Sequence, residues 1–96
     1  MTSISNSEKL NHYIIRVSKE DSAFVYFQLE SNEGLAFYST LKSSLKEPFR
    51  DIEIFSPLSL NQEITHFIDY IGQALRLEIR SHHIIEDAEN ASSFIS

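Results

Sequence analysis

The chain has no cysteine, and its 96 residues include only two glycines and two prolines. Without cysteine there is no disulfide framework, no thiolate zinc site, no thiol nucleophile and no Cys-X-X-Cys redox chemistry. Two glycines cannot supply a Gly-rich phosphate loop, and no nucleophile elbow is present. Basic residues are also scarce: eight Lys and Arg stand against fourteen Asp and Glu, a formal net charge of −6. Such a surface repels phosphate backbones and anionic lipid, so neither general nucleic-acid binding nor membrane anchoring is expected. No run approaches the roughly 20 apolar residues of a membrane span. Met1–Asn11 shows neither the basic start nor the apolar run of a signal peptide, and a cytoplasmic location is expected.

What is present is material for a core. Hydrophobic residues make up 42% of the chain, seven Phe and four Tyr among them, which argues against disorder along its whole length. A chain of this size forms one domain and buries roughly two-thirds of its unfolded surface without staples. Residues 1–11 are expected to be a flexible N-terminal segment, 12–85 a single α+β domain, and 86–96 an acidic, polar and mobile tail whose only large apolar residues are Phe94 and Ile95.

Within the domain, Tyr13, Ile15 and Val17 alternate with Ile14 and Arg16, the period of a strand. Ser18, followed by Glu20 and Asp21, is a helix N-cap with acidic residues in the first turn. The helix it starts is predicted over about 19–33, with Ala23, Phe24, Phe27 and Ser31 on one stripe and Val25, Tyr26 and Leu29 widening it. Gly34 stops it, because glycine accepts positive φ after a helix. A second strand is expected over 35–41, with Leu35, Phe37 and Leu41 on one face. A polar turn then leads to a third near 49–55, ended by Pro57, and the pair forms an antiparallel hairpin. Ser59 to Gln62 reads as a capping box. Ile64, Phe67, Ile68, Ile71 and Leu75 follow helical spacing, with Gly72 on the edge of that stripe. Residues 76–85 fit either a fourth strand or an extension of this helix. The order βαββαβ implies a ferredoxin-like sandwich, a four-stranded antiparallel sheet with two helices on one face. That architecture hosts many functions and assigns none.

The segment Glu30-Ser31-Asn32-Glu33-Gly34-Leu35-Ala36, followed by a strand, a hairpin and a short helix, resembles a small bacterial family catalogued as domain of unknown function 4911. The likeness spans about residues 12–79 and implies a similar fold with no assigned role. That family tends to place an Arg-Thr pair in the second strand; here Ser39-Thr40 stands there, so no basic contact carries over. The element order is also similar to that of small-molecule-sensing ACT domains. Their glycine-bearing turn after the first strand is replaced here by Val17-Ser18-Lys19-Glu20.

Candidate chemistry is thin. Of His12, His66, His82 and His83, the adjacent pair His82-His83 would face opposite sides of a strand and not share an ion. Hydrolysis of the acylphosphatase kind needs an anion cradle after the first strand, where Lys19 is flanked by Glu20 and Asp21. RNA recognition by stacking on central strands meets Asp51 and Glu53. Lys42, Lys46 and Arg50 cluster near the hairpin and read as a solvated turn. No catalytic residue, metal site or cofactor is expected.

The uncovered sheet face is the informative surface. If Ile15, Phe37, Ile52 and Ile54 point at the helices, Ile14, Arg16, Tyr38, Thr40, Asp51, Glu53 and Phe55 point away. Aromatic residues with Arg are the usual makeup of an interface core. The expected interface therefore has Ile14, Tyr38 and Phe55 as anchors, with Arg16 and Glu53 setting register. The expected function is a non-enzymatic protein-interaction or regulatory module, self-associating through its sheet as a homodimer, with no nucleic-acid or membrane partner. The alternative is an ACT-like domain that senses a small molecule.

Overall fold

Two strands at the centre of a sheet carry most of the pattern read from the sequence. In the computed structural model, which describes residues 9–86, β1 spans Leu10–Ser18 and β3 spans Phe49–Pro57, paired antiparallel from Leu10↔Pro57 to Ser18↔Phe49. β1 thus starts upstream of the expected boundary at His12. Leu10 and Asn11 lie in its ladder and are buried, so they belong to the domain and not to a flexible segment. The expected mobility of 1–8 and 87–96 lies outside the described residues.

The remaining elements are α1 (Lys19–Ser31), β2 (Phe37–Thr40), α2 (Asn61–Ala74) and β4 (Leu77–Ile85), with short 3₁₀ turns at Lys42–Ser44 and Leu58–Leu60. All four strands form one antiparallel sheet in the order β2-β3-β1-β4. Residues 77–85 are therefore a strand. α2 gives way at Leu75, whose extended backbone ends the helix although the apolar pattern continues.

The core lies on one face. Tyr13, Ile15 and Val17 of β1 and Ile52 and Ile54 of β3 meet Val25 and Leu29 of α1 and Ile64, Phe67, Ile68 and Ile71 of α2. Six of the side chains in this cluster, Ile15, Val25, Ile52, Ile54, Ile64 and Ile71, have no exposed surface. Each such side chain is worth about 1.5–3 kcal/mol of burial. The α2 stripe is thus the one its spacing predicts.

Local chemistry sets the ends. Ser18 Oγ accepts from the Asp21 N–H at 3.1 Å, the predicted cap of α1. At the other end Asn32, and not Gly34, caps the helix, its N–H reaching the Gln28 and Leu29 carbonyls. Gly34 follows at φ +87°, turning the chain so that Leu35 enters the core cluster that holds Leu29. The expected box at Ser59 does not form on α2. Its N-cap is Leu60, with no side-chain hydrogen bond, because the 3₁₀ turn carries the chain directly into the helix. Gly72 is not a close-packing point, since a Cβ there would meet nothing within 4 Å.

Two faces differ from expectation. α1 buries Ser22, Val25 and Leu29 and turns Phe24 and Phe27 outward, Phe27 being 64% exposed. The face with Phe24 and Phe27 is the outer one, and Ser22, Val25 and Leu29 pack toward the sheet. β2 is also one residue out of phase and shorter than the predicted 35–41. Phe37 pairs with Phe55 and Thr40 with Ile52, which puts Phe37 on the open face and Tyr38 and Thr40 under α1. A ring stack between Phe37 and Phe55, centroids 5.4 Å apart, accompanies that choice.

Candidate interaction surfaces

The open sheet face is a closed network and not a loose patch. Arg16 and Asp51 are directly opposite on β1 and β3, and the guanidinium grips the carboxylate with two bonds, Nε at 2.8 Å and Nη2 at 3.0 Å. The same guanidinium lies 3.7 Å from the Phe49 ring centroid, a cation–π contact. The hydrogen bond to Asp51, with the charge of that carboxylate, raises the Arg16 pKa further above its ordinary value. One step along, Glu53 pairs with His12 at 2.9 Å, and the His12 ring stacks on Phe55 with centroids 4.5 Å apart. Asp51 and Glu53 are buried, and Phe55 has no exposed surface.

Four of the five residues expected at an interface, Ile14, Arg16, Glu53 and Phe55, therefore do share this face. Arg16 pairs with Asp51 and not with Glu53, and both charges are spent within the sheet. Tyr38 sits on the opposite face. Its hydroxyl donates to Glu30 on α1 at 2.5 Å, and its ring stacks near Tyr26, which itself bonds Thr40. The bond to Glu30, aided by burial, pushes the Tyr38 phenol up to about 12.

The cluster at the hairpin has a local use. Arg50 Nη1 donates to the carbonyls of Ser44, Glu47 and Phe49, tying the turn together. His82 and His83 fall on opposite faces, opposite Tyr13 and His12 respectively. His82 stacks on Tyr13 at 3.9 Å and its Nε2 donates to Asn11 at 2.8 Å. Burial, and then the neighbouring His83, lower its pKa below the ordinary value. Among the described residues no three His, Asp or Glu side chains converge as a metal site, and no helix is long and apolar enough to cross a membrane.

Two features stand out that the sequence pattern does not mark. The first is the outer edge of β4, a strand of nine residues that pairs with β1 on one side and with no other strand among the described residues. Its Ile79 and Ile84, opposite Ile15 and Asn11 on the helix-bearing face, are 50% and 55% exposed. A bulge at Arg80 shifts the register, Ser81 facing Ile14 and Ile79 facing Ile15. The second is a groove of about 640 Å³ between the end of α1 and the start of α2, with Leu35 and Phe67 in its lining beside Glu33, Glu63, His66 and Tyr70. The sequence reading did not single out the α2 half at 63, 66 and 70, which helical spacing alone could have placed beside the apolar stripe; the facing wall at Glu33 and Gly34 depends on how the chain returns and leaves no local signal. No protein-family model, curated protein or solved structure matches the chain.

Proposed function

We propose that this chain is a non-enzymatic interaction module that self-associates through its sheet, by pairing the outer edges of two β4 strands. The observation that carries the reading is the β4 edge itself, long and flanked by exposed Ile79 and Ile84. An unpaired edge offers a row of N–H and C=O groups to another strand. The bulge at Arg80 and the Glu78–Arg80 ion pair interrupt the first half of β4, and the regular stretch from Ser81 to Ile85 is the part open to pairing. β2, the other edge, is short at four residues; β4 is not. Two copies related by a two-fold axis would pair antiparallel into one continuous sheet of eight strands, twice the four in one chain. The open face is the poorer candidate because its charges already satisfy each other.

We also propose that the architecture is a ferredoxin-like sandwich. It is supported by the chain order β1-α1-β2-β3-α2-β4 together with the spatial order β2-β3-β1-β4 and helices packed on one face. The likeness to domain of unknown function 4911 would fit such a sandwich and adds no role.

Sedimentation velocity over a wide concentration range tests the pairing. The wild type is expected to dimerise, and Ile79→Lys/Ile84→Lys to remain folded by circular dichroism while its dissociation constant rises at least tenfold. A wild type that stays monomeric at the highest concentration ends the reading. A second reading, a small-molecule-sensing module similar to ACT domains, is favoured by the groove between the helices. A ligand specific for the folded state must raise the melting temperature, so a flat thermal-shift response across amino acids, amines and nucleotides counts against sensing.

A further inference from the structure

The groove has a chemistry of its own. Its floor is apolar, from Leu35 and Phe67, both buried. Its rim carries two carboxylates, Glu33 from the turn after α1 and Glu63 from the first turn of α2. Neither forms an ion pair with any described residue. None of the chain's eight Lys and Arg lines the groove. The two helix ends at the groove offset each other, the partial negative charge of the α1 C-terminus against the partial positive charge of the α2 N-terminus. The net local charge is therefore that of the two carboxylates. Glu30, by contrast, is already engaged by the Tyr38 hydroxyl. Tyr70 completes the site as an aromatic ring that is 54% exposed on a helix whose other large apolar residues are buried. An aromatic face beside unpaired carboxylates is the arrangement that holds an organic cation.

From this we infer that the groove binds a small organic cation, an ammonium or guanidinium carried on an apolar stem. The stem lies on Leu35 and Phe67, the charge sits between Glu33 and Glu63, and Tyr70 offers its ring to the cation. A volume of about 640 Å³ falls within the roughly 300–1,000 Å³ of small-molecule sites. An anion is disfavoured by the same carboxylates, and a neutral ligand leaves the two of them without a counter-charge. The inference rests on the sensing reading and names its ligand class; it uses no residue of the β4 edge, so it stands or falls separately from self-association.

The test is a titration of isotope-labelled protein followed by amide chemical shifts, with phenethylammonium and butylguanidinium as probes and 2-phenylethanol as the neutral control. Both cations are expected to give saturable shifts at Gly34, Leu35, Glu63 and Tyr70, weakening as salt is added. The exposed-site double variant Glu33→Gln/Glu63→Gln, its fold verified by its spectrum, is expected to bind either cation at least tenfold more weakly. Tyr70→Ala is expected to weaken binding severalfold. If 2-phenylethanol saturates as tightly as phenethylammonium, the groove senses small molecules but not by charge, and the cation inference is overturned while sensing survives. Unchanged affinity in the double variant overturns it as well. If neither cation shifts the groove amides, the ligand class and the sensing reading lose their support together.

Discussion

The Tyr38 hydroxyl and a Glu30 carboxylate oxygen are 2.5 Å apart, joining β2 to the end of α1. That hydrogen bond needs the protonated phenol, and burial and then the charge of Glu30 add to it, which raises the pKa to about 12 from the ordinary 10. The folded state holds this proton more tightly than the unfolded chain, so the contribution is complete below pH 10 and is lost as pH rises toward 12. Absorbance at alkaline pH checks this, with Tyr38→Phe identifying the step that belongs to this residue. Glu30→Gln is expected to bring that step down toward 10; a titration that overlays the wild type would show that the carboxylate is not the cause. The same residue shows where sequence reading stops. The apolar residues Leu35, Phe37 and Leu41 invite one face, but Leu35 belongs to the turn and not to β2. The phase is fixed instead by Phe37 meeting Phe55 across the ladder, a contact between residues far apart in sequence.

Elements with a dense local signal came through the sequence intact. α2 did so because Ile64, Phe67, Ile68 and Ile71 leave only one face that can be buried. α1 did not, because apolar side chains surround it, and only packing against the sheet selects Val25 and Leu29 over Phe24 and Phe27. β4 was legible neither as a strand, since 76–85 fitted a helical extension equally well, nor as an edge, since strand order is a property of long-range pairing. Gly72 gives an element-scale prediction. It lies inside α2 with helical neighbours and open space where its Cβ would be. Alanine there should stabilise the helix by about 0.5–1 kcal/mol, chiefly by removing backbone freedom from the unfolded chain. For a domain this small that raises the thermal midpoint by roughly 4–8 °C per kcal/mol. A fall in the midpoint on Gly72→Ala would refute the helix-propensity account and mean that something packs against this position in solution.

At the scale of the whole molecule, one buried polar knot joins three elements. Asn11 on β1 is fully buried; its Nδ2 donates to Asn61 Oδ1 at the start of α2 at 3.1 Å, and its Oδ1 accepts from His82 of β4 at 2.8 Å. Such groups must be satisfied or they cost more than they contribute, so the knot fixes how α2 and the edge strand sit on β1. His82 is its titratable member, stacked on Tyr13 and next to His83, and desolvation lowers its pKa below 6.5. A lowered histidine pKa means the unfolded chain binds the proton more readily than the folded one. Stability from this group is therefore complete above about pH 6.5 and is lost as pH falls through the folded value. Urea unfolding between neutral and mildly acidic pH should show that loss in the wild type. His82→Gln keeps an N–H to offer Asn11 but cannot take up a proton, so its stability should fall less steeply over the same range. Parallel profiles for the two proteins would assign the acid sensitivity to other groups and leave His82 a purely structural donor.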